Sequence, residues 1–125
     1  MSFFDRLFGG PKTSIVTIDP QTALERLRKK DLVLIDVRTE GEWQQTGVVK
    51  GAHTITLGDS TMVDKVYGLT KEDLSKPVAV ICRSGARSGR AAKQLAGAGF
   101  TDVSNVRGGM MAWTAANLPV GRYRR

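Results

Sequence analysis

The sequence contains one cysteine, Cys82, so an internal disulfide is excluded. A lone cysteine in a chain without a secretory leader suits a reducing compartment, and a cytoplasmic protein is expected. The start, Met1-Ser2-Phe3-Phe4-Asp5-Arg6-Leu7-Phe8, lacks a basic stretch followed by a long apolar one, so no signal peptide is expected. No window approaches the run of about 20 apolar residues that a membrane span requires, so no transmembrane segment is expected. Internal repeats and low-complexity segments are absent. Long runs of like charge are missing too, which argues against a nucleic-acid partner although the net charge is +7. Three arginines of the tail Arg122-Tyr123-Arg124-Arg125 inflate that figure; without them it is +4. A basic balance still favours small anionic substrates.

What is present has ordinary globular composition, 41% hydrophobic and 25% charged, in a chain of 125 residues that fits one domain. Gly9-Gly10-Pro11 divides an N-terminal leader (1–12) from a domain over 13–120, and a basic tail covers 121–125. Phe3, Phe4, Leu7 and Phe8 would share one face of a short helix, suited to packing on the domain, on a partner or on a membrane surface. Strands are predicted for Ile15–Ile18 at a sheet edge, Leu32–Val37, Thr54–Leu57, Val78–Ile81 and Asp102–Val106. Between them lie helices. One starts at Asp19-Pro20 and ends near Lys30. Another is capped by Thr39 with Glu42 three residues on and closed by Gly47. A third spans Asp59–Tyr67, a fourth carries Ala91, Ala92 and Leu95, and a last one opens at Gly108-Gly109. The continuous apolar runs suit strands buried on both faces. Alternating strands and helices predict an α/β fold, a mostly parallel sheet of about five strands with helices on both faces.

Ligands of open α/β sheets bind beyond the carboxyl ends of the strands. Cys82 stands there, directly after Val78-Ala79-Val80-Ile81 and before a helix. The helix N-terminus offers unpaired N–H groups and positive partial charge. Ser84, Gly85 and Ala86 are small enough for the backbone to curl into an anion-binding nest. Arg83 and Arg87 add full charge. All three effects favour the thiolate, the nucleophilic form. The plain alternative is a small buried hydrophobe ending a strand. Elsewhere, Arg38 and Glu42 are expected to pair on the surface, for about 0–1 kcal/mol. Trp43 and Trp113 read as core or pocket walls, and Gly108 and Gly109 as permitting close packing beside the loop.

Four blocks in order resemble the rhodanese family of thiosulfate sulfurtransferases: Leu34-Ile35-Asp36-Val37-Arg38 with Glu40 to Trp43; Gly47 to Ala52 with Ile55; Val80 to Ser88 with Ala91, Ala92 and Leu95; and Val106-Arg107-Gly108-Gly109 with Trp113. Together they span about Ile15 to Leu118. The resemblance implies a rhodanese-like fold and a Cys82 persulfide that carries sulfur from a small anionic donor to cyanide, a thiol or a protein acceptor. It implies catalytic Cys82 and a donor cradle of Arg83, Ser84, Gly85, Ala86, Arg87 and Ser88. It marks Asp36 as a fold-supporting acid. No metal and no organic cofactor is implied, and the assembly expected is a monomer or weak dimer. Val48 stands where the family usually has histidine. The only histidine, His53, lies five residues further on and is given no role, so no Cys–His pair is assumed.

Two other readings remain open at this level. A rhodanese-like module can act as a regulatory or partner-specific persulfide relay. A cysteine phosphatase or arsenate reductase would use similar loop logic, but phosphatase loops place arginine six positions after cysteine. Here that position is Ser88, and Arg87 comes one residue early.

Overall fold

The structure is a computed structural model that describes residues 14–124. The expected leader (1–12) and Arg125 lie outside the described residues. Five strands form one sheet: β1 (Val16–Ile18), β2 (Val33–Asp36), β3 (His53–Thr54), β4 (Val78–Ile81) and β5 (Val103–Val106). Their order is β1-β5-β4-β2-β3, and every pairing is parallel. The all-apolar Val78-Ala79-Val80-Ile81 run takes the centre, where each of its residues is buried. The β1 segment takes an edge, as its short run predicts.

Alternate strand residues face opposite ways, so the sheet builds two cores. On one face Ile35, Val78 and Val80 meet Ala91 and Leu95 of α4 (Ala86–Gly97) and Met62 and Val66 of α3 (Met62–Leu69). On the other, Leu34, Ala79 and Ile81 meet Ala23 of α1 (Pro20–Arg28) and Met110 and Trp113 of α5 (Gly109–Ala115). Full burial of each Val, Leu or Ile contributes about 1.5–3 kcal/mol, so the central strand is anchored from both sides.

Local chemistry sets the helix ends. Asp19 caps α1 by accepting from the Thr22 N–H at 2.7 Å, with Pro20 at the first helical position. Thr39 and Glu42 form the expected capping box on α2 (Glu40–Thr46), and Gly47 ends it. Three predicted strands, Ile15–Ile18, Leu32–Val37 and Asp102–Val106, keep their place with ends moved by one residue, and two elements differ by more. The third strand is His53–Thr54 rather than Thr54–Leu57, because the chain peels away while the Ile55 and Leu57 N–H groups still donate to Asp36 and Val37 carbonyls at 3.0 Å. The third helix starts at Met62 rather than Asp59, because the Asp59 carboxylate accepts from the Thr61 N–H and hydroxyl at 2.8 and 2.6 Å in a turn before the helix.

Past α5 the chain returns to the domain. The Gly121 and Val48 backbones exchange hydrogen bonds of 2.7 and 2.9 Å, and Tyr123 lies against Trp43 with ring centroids 5.3 Å apart. Val48 therefore serves through its backbone.

Candidate active site

Parallel pairing levels the carboxyl ends of β2 and β4: Asp36 is opposite Ile81, and the Val37 N–H donates to the Ile81 carbonyl at 3.0 Å. The segment Val37-Arg38-Thr39 thereby runs beside the loop that follows β4. Cys82 opens that loop and is only 1% exposed. Gly85 adopts a left-handed φ of +116°, which glycine tolerates and other residues rarely do. That turn aims its N–H at Cys82 Sγ, 3.0 Å away. One turn into α4, the Ser88 hydroxyl reaches the same sulfur at 3.2 Å.

Burial pushes the Cys82 thiol up. The Ser88 hydroxyl and the backbone N–H groups of Ser88, Gly85 and Ser84 outweigh it, so the thiol titrates below its ordinary value. Activation therefore comes from neutral donors close to the sulfur, with the helix N-terminus supplying most of them. Cys82 is buried, as a packing cysteine would be, yet it is surrounded by donors that favour its charged form.

Asn105 on β5, opposite Val80 on the neighbouring strand, braces this loop. Its Nδ2 donates to the Gly85 carbonyl at 3.1 Å, and its Oδ1 lies 2.6 Å from Ser88 Oγ. Ser88 has one hydroxyl proton and three acceptors in reach: Cys82 Sγ, Asn105 Oδ1 and the Gly85 carbonyl at 3.1 Å. Its rotation sets how much of that proton the sulfur receives.

A second support comes from α5. The Met110 and Met111 N–H groups donate to the Cys82 and Arg83 carbonyls at 2.7 and 3.0 Å. Gly109 makes this approach possible: a Cβ there would overlap the Cys82 carbonyl and the Arg83 backbone, and its φ is +57°. The expected close packing on the loop is thus present at Gly109, whereas a Cβ on Gly108 would meet Ala112 of its own helix.

The two arginines nearest the cysteine diverge. Arg87 donates to both oxygens of Glu42, at 2.6 and 2.8 Å, rather than to the sulfur, although it is close enough to Cys82 for their charges to interact. This arginine, together with the capping-box donors, holds the Glu42 carboxyl down at about 2. Arg83 is exposed and lines a cleft of about 390 Å³ between α2 (Glu42, Gln45, Thr46) and α5 (Met110, Met111, Thr114). The expected surface pair of Arg38 with Glu42 does not form. Arg38 is 2% exposed and turns back onto Asp36 through contacts of 2.8 to 3.1 Å. It also donates to Thr46 Oγ1 and the Gly47 carbonyl, both at 2.7 Å. A guanidinium buried this deeply needs a carboxylate and further acceptors, and Asp36, two residues away at a strand end, is the acid within reach.

No group of three or more metal-ligating side chains occurs among the described residues. No helix among them is long and apolar enough to cross a membrane.

A family model described as a rhodanese-like domain matches residues 19–116. The chain belongs to the rhodanese-like family. This rhodanese is 36% identical over 103 residues to the thiosulfate sulfurtransferase GlpE of Pseudomonas savastanoi pv. phaseolicola, covering 82% of this chain and 91% of that one. Its fold matches the polysulfide-sulfur transferase homodimer of Wolinella succinogenes at a TM-score of 0.69 and 30% identity, over 86% of this chain and 78% of that one. It also matches a Rhodopseudomonas palustris protein of unknown function, described as a "possible tyrosine phosphatase", at a TM-score of 0.74 and 26% identity, over 86% and 85% of the two chains.

Of the residues singled out in the sequence, the rhodanese loop brings Ser84, Gly85 and Ser88 to Cys82, while Ala86 opens α4. Arg83 and Arg87 stand apart from the sulfur's hydrogen-bond shell. Sequence reasoning missed Asn105 and the second role of Glu42. The polar pair Ser104-Asn105 between Val103 and Val106, in a strand inside the sheet, was the signal for Asn105; the capping box concealed Glu42.

Proposed function

We propose that this rhodanese is a thiosulfate sulfurtransferase that works through a Cys82 persulfide. The observation that carries the reading is the convergence of the Gly85 N–H and the Ser88 hydroxyl on Cys82 Sγ. The Cys82 thiolate attacks the outer sulfur of thiosulfate. A new S–S bond forms as the old one breaks, and sulfite leaves with its electron pair. Cyanide, a thiol or a protein thiol then attacks the terminal sulfur and returns Cys82 to thiolate. The amides that favour the thiolate also accommodate the persulfide's charge, so both resting forms rest on one set of donors. Arg83, exposed at the cleft, meets the sulfonate end of the donor.

The phosphatase alternative is disfavoured by Arg87. A phosphate-binding loop needs its guanidinium turned inward, and here both of its forked contacts go to Glu42. A cradle that holds Cys82 at 1% exposure suits one terminal sulfur better than a tetrahedral phosphate. The relay reading draws on Met111, 56% exposed beside Arg83, which offers a protein acceptor an apolar contact at the cleft. A single domain over 13–120, a cytoplasmic location that keeps the thiol reduced, and a monomer or weak dimer complete this reading.

The test is steady-state kinetics with thiosulfate and cyanide. Parallel double-reciprocal lines are expected, as a covalent intermediate requires, with activity abolished in Cys82→Ser. Turnover of a phosphate ester in place of thiosulfate would replace this reading with the phosphatase one.

A further inference from the structure

At the end of the sheet opposite Cys82, the amino ends of β2 and β4 border a cavity of about 540 Å³. Its walls are apolar: Leu27 from α1, Leu32 before β2, Val49 after α2 and Leu69 at the end of α3. Gly51, with a φ of +92°, turns the chain beside Leu27 on one side.

The rim carries Arg28, Lys30, Lys50 and Lys76, and no Asp or Glu lines the cavity. The ion pairs among the described residues are made by other side chains. Asp73 feels Lys76, but only beyond ion-pair distance. Cations at a helix C-terminus offset its dipole, which accounts for Arg28 and Lys30. It does not account for Lys50 and Lys76, which come from two other segments and converge on the same opening. Lys30 reaches the rim from a left-handed φ of +60°, a backbone conformation glycine would hold at less cost. Four like charges around an apolar depression repel one another, and an anion with an aliphatic tail relieves that repulsion while covering the walls.

We propose that this cavity binds an aliphatic carboxylate of about decanoate size, its chain against Leu27, Leu32, Val49 and Leu69 and its carboxylate among Lys30, Lys50 and Lys76. The site is separate from the sulfur loop and adds to the sulfur-transfer reading without depending on it.

The experiment is amide NMR of the full chain titrated with decanoate below its micelle concentration. Saturable shifts at Leu27, Val49 and Gly51 are expected, with the amides around Cys82 unmoved. Decanol should bind about fivefold weaker or worse, and Lys50→Glu/Lys76→Glu should weaken decanoate about tenfold while leaving sulfur transfer intact. Three results would overturn the proposal. One is the absence of saturable shifts in the cavity. Another is equal affinity for decanol and decanoate. The third is a set of nuclear Overhauser contacts from Phe3 or Phe8 to Leu27 and Val49 that decanoate fails to displace, because the chain's own leader would then be the occupant.

Discussion

Arg87 grips Glu42 through two hydrogen bonds, Nη1 to Oε1 at 2.6 Å and Nη2 to Oε2 at 2.8 Å, across 45 positions of sequence. The same carboxylate completes the cap of α2, since the Thr39 N–H donates to Oε1 at 3.2 Å. One side chain thus ties the helix after β2 to the helix after the cysteine.

Breaking this tie should loosen the loop that presents the sulfur. Arg87→Ala is expected to lower kcat/KM for thiosulfate about ten- to hundredfold, and Arg87→Lys should not restore it, because an ammonium cannot form the fork. Unchanged kinetics in Arg87→Ala would remove the tie from the mechanism.

The pair also predicts a pH dependence of stability. Glu42 titrates at about 2 rather than its ordinary 4.5, so its contribution is fully present above the ordinary value and fades as pH falls through about 2. Arg87 and Glu42 are 34% and 25% exposed, so solvent screening keeps that contribution below the roughly 3 kcal/mol that the full lowering would represent. Urea unfolding of the native protein and Glu42→Gln should differ most above about pH 5 and converge towards pH 2. A gap that stays constant down to that pH would contradict the assignment.

The Ser88 hydroxyl is the side-chain donor to Cys82 Sγ. Ser88→Ala should raise the thiol's titration midpoint, read from the pH dependence of iodoacetamide alkylation. Asn105→Leu removes the competing acceptor and is expected to move the midpoint the other way or leave it in place. A rise in both variants would assign the effect to general loop disorder instead.

Two of the left-handed glycines at the site, Gly85 and Gly109, separate backbone conformation from close approach. A Cβ on Gly85 would meet open space, whereas one on Gly109 would overlap the Cys82 carbonyl and Arg83. Gly85→Ala should therefore cost only the left-handed backbone, about 1–2 kcal/mol by urea unfolding, and Gly109→Ala should cost clearly more. Equal losses would mean that α5 is not wedged against the loop.

Local signals made much of this legible in advance. The Val78–Ile81 run, the Thr39–Glu42 box, Pro20 after Asp19, and the strand–loop–helix setting of Cys82 are each contained within a few residues, and the structure keeps them. What local pattern could not show is partner choice among long polar side chains. The general exposure of arginines predicts a surface Arg38, but its place two residues after Asp36 at a buried strand end folds it inward. That left Glu42 for Arg87, a pairing fixed only when β2 and β4 come to lie side by side. Asn105 likewise acquires its part only from strand order, which sets β5 next to β4. The sequence neighbourhood of Arg87 suggests a donor-binding cation but does not reveal Glu42 as its hydrogen-bond partner.

A Cys82 persulfide is tested most directly by intact mass spectrometry of the reduced, folded protein after incubation with thiosulfate. A gain of one sulfur atom is expected, lost when cyanide is added and absent in Cys82→Ala. No adduct with thiosulfate or any other sulfane donor, in protein shown to be folded and reduced, would contradict it.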